Sequence, residues 1–223
     1  MPRTRKSPIP LHLFDRHAAS NDRWFETEPG SLQFPGELTA LRLLTHRLPR
    51  PWLEIGVGTG RFAYELAAEF GIDPSAKMLM AAQERGVTPA QAAGESLPFP
   101  DAAFGSALII TTLCFVRDPA AVLREARRVL RPNGAVVLGI LRKDSPWGRH
   151  YQALGKNGHP LYRHARFLSA REAETLLRDS GFGVTARACS VVQPPGKVHE
   201  TERGWWGYSP EASFAAILAR KLY

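Results

Sequence analysis

The segment running from Trp52 through Glu54-Ile55-Gly56-Val57-Gly58-Thr59-Gly60 constrains this chain more than any other. A short apolar run ends in three glycines separated by single residues, and a helical period opens at Arg61. Glycine has no Cβ, so such a loop turns tightly from strand to helix and passes close beneath a ligand. The pattern predicts a parallel α/β sheet with a nucleotide-like ligand at the end of its first strand. Two phosphate-binding versions of the loop fit poorly. A dinucleotide fingerprint needs a small residue where Arg61 stands, which disfavours a nicotinamide oxidoreductase. A triphosphate loop needs Gly-Lys-Ser/Thr, and the chain has Gly60-Arg61-Phe62.

Downstream, short apolar runs alternate with helical periods, the rhythm of strands joined by crossover helices. The spacing predicts a helix over Arg61–Glu69, a second strand ending at Ile72, a helix from Asp73-Pro74-Ser75 to about Arg85 capped by Asp or Ser, and a weak strand near Val87–Ala92. Ala103–Thr112 is continuously apolar, as a strand buried on both faces requires. Asp118-Pro119 supplies a cap and a first-turn proline for a helix with an apolar stripe of Val122, Leu123, Ala126, Val129 and Leu130. Arg124, Arg127, Arg128 and Arg131 are expected on its solvated face. Pro132-Asn133-Gly134 is a turn into a strand over Ala135–Leu141. Ser169 and Glu172 form a capping box for a helix that Gly181 ends. The segments 182–192 and 213–222 read as a final pair of strands, with Trp205-Trp206 in a polar loop before the second, anchoring it or walling a pocket.

The ends and one insertion break this rhythm. Residues 1–10 read as a frayed tail, and 11–48 as polar helices with aromatic anchors Phe14, Trp24, Phe25 and Phe34 followed by Leu38, Leu41, Leu43 and Leu44. The segment 142–168 is too long for an ordinary connection and is crowded with His, Tyr and Arg, as functional loops and lids are. The expected organisation is an N-terminal tail and helical lid over 1–48 and a main domain over 49–223 with a substrate cap at about 142–168.

Taken in order, four segments resemble the motifs of class I S-adenosylmethionine-dependent methyltransferases, and of their small bacterial members in particular. E-I-G-V-G-T-G-R-F (54–62) is similar to the family's first motif and G-I-D-P-S (71–75) to its second. G-E-S-L-P-F (94–99) resembles the adenine-side loop, and L-R-E-A-R-R-V-L-R-P-N-G (123–134) the segment before the fifth strand; together they span about residues 50–141. The resemblance implies a Rossmann-like three-layer sandwich with a seven-stranded, mainly parallel sheet whose last strand is antiparallel. It implies S-adenosyl-L-methionine as cofactor, S-adenosyl-L-homocysteine as product, and methyl transfer as the activity. Glu54 should then lie near the methionine ammonium, Gly56, Gly58 and Gly60 beneath the methionine and ribose, and Pro74 beside the adenine, with Gly94, Glu95 and Ser96 at its edge. A carboxylate at Asp73 suits a ribose, because it can accept hydrogen bonds from two vicinal hydroxyls; helix capping is the alternative or coexisting role.

Three positions depart from the family pattern. Ala93 replaces an acid that often accepts the adenine amino group, leaving backbone groups or Glu95. Gly105 stands where Asp is common, and Asn21, within the lid-like F-D-R-H-A-A-S-N-D-R-W-F (14–25), where Tyr is common.

Methyl transfer from a sulfonium is an in-line displacement on an activated carbon, so the chain's tasks are alignment and exclusion of water. A general base matters for a protonated amine or a hydroxyl acceptor. By the resemblance, Thr111 and Thr112 lie beside the methyl group, Thr111 with the cofactor. Trp24, Thr112, Cys114 and Tyr151 are expected in the substrate pocket, with Cys114 a small wall residue rather than a nucleophile, for it lacks the Pro-Cys context of cytosine carbon-5 enzymes. His150, Tyr151, His159, Tyr162 and His164 are candidates for acceptor contact or a base. No metal is expected, since the three histidines follow no ligand spacing.

Charge and cysteine content bear on partners. The 29 Lys and Arg exceed the 21 Asp and Glu by eight, but they are scattered, without runs of five. With Cys114 and Cys189 alone, no disulfide framework is expected, and the longest apolar run, Phe104–Val116, is too short to span a bilayer. A cytoplasmic enzyme with a small-molecule methyl acceptor, without membrane or nucleic-acid partner, is the expectation, an amine or heteroaromatic nitrogen being the preferred acceptor. An RNA or protein methyltransferase is one alternative, although no RNA-binding module or base-methylation motif is present. A cofactor-binding protein that has lost catalysis is the other.

Overall fold

A computed structural model describes residues 11–222, so the tail expected over residues 1–10 lies outside the described residues. The elements run α1 (Leu11–Trp24), α2 (Gly30–Thr45), β1 (Trp52–Ile55), α3 (Arg61–Leu66), β2 (Phe70–Asp73), α4 (Ala76–Glu84), β3 (Thr88–Gln91), β4 (Phe104–Ile110), α5 (Pro119–Val129), β5 (Leu130–Leu141), α6 (Pro146–Lys156), α7 (Ala170–Asp179), β6 (Phe182–Ser190), β7 (Trp205–Trp206) and β8 (Phe214–Lys221). They form one sheet in the order β3-β2-β1-β4-β5-β8-β6-β7. The first five strands pair in parallel, and β8 runs antiparallel to both β5 and β6. The strand order reverses between β1 and β4, and at such a switch point the loops diverge and leave a crevice at the carboxyl ends of the strands.

Strand periodicity divides the core into two layers. Along β4, Leu108 and Ile110 join a cluster with Leu41 of α2, Phe62 of α3 and Leu79 of α4. The intervening Ala107 and Ile109 join Leu123 of α5 and Leu177 of α7 on the opposite face. Burial of each large side chain contributes roughly 1.5–3 kcal/mol, and every residue of β4 is buried.

Local signals act at most element ends. Ser75, not Asp73, caps α4, its hydroxyl accepting from Met78 N at 3.2 Å. Asp118 caps α5 and the Ser169–Glu172 capping box opens α7. The third helix is shorter than its apolar period suggests: Ala67 turns left-handed at φ 55°, and Glu69 accepts from Trp52 N at 2.8 Å and Arg50 Nε at 2.7 Å. Gly105, the departure from the acidic pattern, is a place of close backbone approach, since a Cβ there would stand 2.4 Å from Pro49 O.

Five expectations are corrected. Pro132-Asn133-Gly134, expected as a turn ahead of the strand, lie inside β5, where Asn133 is left-handed at φ 64°. The sheet has eight strands rather than seven, because two residues at 205–206 pair with β6. Trp205 and Trp206 are 36% and 54% exposed on that edge, so they do not anchor the loop in the core, and they line neither of the two cavities at the crevice. The segment 142–168 is not an open loop: Ser145 caps α6 by accepting from Gly148 N, and turns follow. Arg127 and Arg128 of α5 and Arg131 of β5 are more than a solvated face. Arg128 donates to Leu97 O and Phe99 O and pairs with Glu125 and Asp101, Arg127 reaches Leu222 O, and Arg131 reaches Ala103 O.

The first helix is held over the crevice by charge. Asp22 accepts from Arg61 at 2.7 Å and from Arg85 at 2.9 Å, and Glu26 also pairs with Arg61. At its other end Asp15 accepts from the Ser75 hydroxyl at 2.6 Å. The Arg61 hydrogen bond holds the Asp22 carboxyl down at about 2. A depressed carboxylate stabilises the fold above its ordinary value of 3.8, and that contribution is lost as pH falls through about 2. Asp22→Ala is expected to lower unfolding free energy by about 1–3 kcal/mol at pH 7 and to hasten proteolysis within α1. Urea unfolding at pH 7 and pH 2 checks this, the difference between variant and parent shrinking at the lower pH.

Candidate active site

Two cavities open at the crevice. The larger, about 490 Å³, lies over the ends of β1, β2 and β4, and the smaller, about 320 Å³, lies between α1, α2, the end of β4 and the segment 159–168. Phe14, Asn21, Phe25, Phe62, Thr111 and Phe115 line both, so the two spaces adjoin.

The glycine turn shapes the larger cavity. Gly56 at φ 78° lies so close to Thr112 that a Cβ would stand 2.3 Å from its Cγ2. At Gly58, φ 52°, a Cβ would meet no protein atom within 4 Å, so this glycine answers to the open cleft rather than to packing. Gly60 does not line the cavity: it caps α3 at φ 83°, where a Cβ would stand 2.9 Å from Ala82 of α4.

Three acids line this space, and two of them, Asp73 and Glu54, are buried. Asp73 is 8% exposed, and its oxygens accept from Gly58 N at 3.1 Å and Ser75 N at 2.9 Å. Burial outweighs these bonds and, with Asp15 adding repulsion, pushes the carboxyl up to about 6. Lone pairs remain on both oxygens for further donors. Glu54 is 2% exposed, its Oε2 has no hydrogen-bond partner, and burial holds the carboxyl well above the usual range. An unpartnered buried carboxyl oxygen calls for a donor, and a cation satisfies it best. A cleft with an ammonium-seeking acid at one end and a carboxylate on the second strand fits an aminoacyl-nucleoside such as S-adenosylmethionine.

The remaining expected contacts divide. Pro74, Gly94, Glu95, Thr111 and Thr112 line the larger cavity. Glu95 has a structural task besides, its Oε1 accepting from Arg117 N at 2.9 Å and Asp118 N at 3.2 Å. Ser96 turns away, donating its N–H to Ala93 O at 3.0 Å. Thr112, expected in the substrate pocket, lines only the larger cavity and donates to Ile110 O at 2.8 Å. Thr111 stands at the junction with φ 50°, a costly conformation for a β-branched residue, held by its N–H on Gly139 O at 2.7 Å.

The smaller cavity is aromatic. Trp24, Cys114, Tyr151, His159 and Tyr162 line it, as does Phe167. The Tyr162 ring lies 4.5 Å from those of Tyr151 and His159. Burial pushes the Tyr162 hydroxyl and the Cys114 thiol up to about 12, and it lowers His159. Cys114 is thus a neutral wall, donating to Thr111 O. His150 packs on Trp147 and Tyr151, and His164 accepts from Arg163; neither lines either of these two cavities. Among the described residues no group of three or more His, Cys, Asp or Glu could hold a metal ion.

One residue of this cavity was not anticipated. Glu37 of α2 is 3% exposed, lines the aromatic cavity, and has no hydrogen bond or ion pair with any described residue. Desolvation alone raises its carboxyl to about 8. The signal was present: Gln33, Glu37, Leu41 and Leu44 share one face of α2, so an acid occupies a core register.

Comparison with known proteins agrees with this architecture. Residues 53–138 match the methyltransferase domain family. An uncharacterised Mycobacterium tuberculosis protein is 47% identical over 92% of this chain and 72% of its own length, and one from Methanocaldococcus jannaschii is 36% identical over 95% and 100%. A crystal structure from Thermotoga maritima, an S-adenosylmethionine-dependent methyltransferase and possible histamine N-methyltransferase, is 36% identical with TM-score 0.87 over 95% of this chain and all of that one. The chain belongs to the class I S-adenosylmethionine-dependent methyltransferases and is a methyltransferase enzyme.

The raised Glu37 carboxyl has a stability consequence. Between about pH 4.5 and 8 the folded chain keeps a proton that the unfolded chain releases, so this residue makes stability fall as pH rises across that window. Glu37→Gln should flatten the fall, gaining on the parent by on the order of a few kcal/mol at pH 8 and little at pH 4.5. Thermal or urea unfolding of both proteins across this range measures it.

Proposed function

We propose that this enzyme transfers a methyl group from S-adenosylmethionine to a small molecule carrying an amine or heteroaromatic nitrogen. The observation that carries the reading is the junction of the two cavities at Thr111, between a cleft suited to the cofactor and an aromatic chamber of about 320 Å³. A chamber of that volume suits a small acceptor, and a base or peptide within a macromolecule would need an open groove. The amine preference draws support from the Thermotoga relative, described as a possible histamine N-methyltransferase.

In this reading Glu54 holds the methionine ammonium, the backbone from Gly56 through Gly58 passes beneath the methionine and ribose, and Asp73 accepts from the ribose hydroxyls. Pro74 and Met78 flank the adenine, and the backbone around Ala93–Glu95 meets its edge. When bound, S-adenosylmethionine supplies a methyl carbon activated by a sulfonium. Thr111 sits where the two reactants meet, and its held conformation aligns them in advance. Phe14, Phe25, Phe62 and Phe115 exclude water from the path. α1, tethered through Asp22 and Asp15, is the lid over both chambers, and the 142–168 segment is the cap that closes the acceptor side.

Calorimetric titration with S-adenosylhomocysteine is expected to show binding near micromolar that Asp73→Ala weakens at least tenfold, about 1.4 kcal/mol, with no heat from NAD. No binding by the parent overturns the cofactor assignment. The affinity should also fall as pH drops through about 6, because the protonated Asp73 accepts fewer hydrogen bonds than the carboxylate. Asp73→Asn should be weaker and lack that pH dependence, which titrations at pH 7.5 and pH 5 resolve.

A further inference from the structure

Resting on the amine reading above, we propose that Glu37 recognises the acceptor as a cation and takes the proton that its nitrogen must lose before methyl transfer. A carboxyl this deeply buried normally has a counter-charge or hydrogen-bond donors, and Glu37 has neither among the described residues. Among the described residues it is the single Asp or Glu on the wall of the smaller cavity, and none of them places a Lys or Arg on that wall. A carboxylate or phosphate acceptor would meet no counter-ion there, whereas an ammonium would meet an unpaired acid and a ring of aromatic faces, which also attract cations.

The titratable groups around it leave the assignment clear. His17 of α1, Tyr151 of α6, and Cys114, His159 and Tyr162 of the connecting segments line the same cavity. His159 is held below the ordinary histidine range by burial, and the Tyr162 hydroxyl and Cys114 thiol near 12 stay protonated. Tyr151 is raised by burial and by the charges of Tyr162 and Glu37, so it too remains a neutral phenol. Glu37 is the group whose proton affinity lies in the working range and whose charge is complementary to an ammonium.

The chemistry balances without a further reactant. The ammonium donates one proton to the Glu37 carboxylate, which frees the nitrogen lone pair. That pair forms the new nitrogen–carbon bond while the carbon–sulfur bond breaks and its electrons remain on sulfur. The product leaves as the methylated ammonium, and Glu37 returns its proton to solvent.

The test uses the full chain and a non-reactive probe, a small aryl-trimethylammonium ion, beside its isosteric neutral alcohol and carboxylate. Calorimetry at pH 7 in buffers of different ionisation enthalpy should show the cation binding at least tenfold more tightly than either isostere and releasing nearly one proton as Glu37 ionises. Glu37→Gln should weaken the cation at least tenfold and abolish proton release, Glu37→Asp should restore part of both, and S-adenosylhomocysteine affinity should be unchanged in each, which establishes that the variants are folded. With a matched primary arylalkylamine as acceptor, Glu37→Gln should raise KM and move the acidic limb of the kcat/KM profile up to the ionisation of the amine itself, since only the free amine then reacts. Equal binding of cation and isosteres by the parent, or a Glu37→Gln variant with parental affinity, proton release and pH profile, overturns the assignment. If amines are methylated in that second case, the amine reading stands and the role of Glu37 alone fails. Turnover of alcohols or carboxylates with none of amines removes the amine reading, and the Glu37 proposal with it.

Discussion

The approach of the β1 turn to the end of β4 is the contact on which the rest of the site depends. Gly56 and Thr112 stand so close that a single Cβ would occupy the place of the threonine side chain. Because they touch, the backbone after β1 is directed over the second strand, and the chain after β4 turns back at Thr111 in a left-handed conformation. The larger cavity opens on one side of that junction and the aromatic chamber on the other. A larger residue at position 56 would have to part the two loops.

Electrostatics follow from the same geometry. Three acids with raised carboxyls, Glu54, Asp73 and Glu37, face these cavities, and in each the first cause is burial without a protein cation alongside. Asp22 is the contrast, for it lies beneath two arginines and is held down at about 2. Arg61 and Arg85 thus hold α1 over the crevice, while Glu54, Asp73 and Glu37 have no ion pair among the described residues. A buried charge without a partner is costly, so positions of this kind are where binding and chemistry concentrate.

Much of the sheet was legible because its signals are local. Glycine spacing, Asp118-Pro119, the Ser169–Glu172 box and the apolar run of β4 each act within a few residues, and all appear as read. That Glu54, Gly56, Gly58 and Asp73 line the larger cavity follows from their places at the ends of β1 and β2. Failures arose where distant segments decide. Arg128 looked solvent-facing by helical phase, yet the 97–101 loop folds onto it. Glu95 lines the larger cavity, and the structure adds a task that the sequence does not show, acceptance from the Arg117 and Asp118 amides. Trp205 and Trp206 looked like anchors because aromatic residues usually bury, but the sheet edge leaves them exposed.

The sequence by itself determined the parallel α/β frame, the turn under the ligand and the acid on the second strand, because each follows from backbone freedom, periodicity or capping among near neighbours. Only the tertiary structure decided which of the His and Tyr candidates line a cavity at the crevice, and it brought Glu37 from a core register of α2 to the wall of the aromatic cavity. The physical reason is that a cavity is bounded by residues far apart in the chain, and the proton affinity of a buried acid depends on the partners that packing withholds from it.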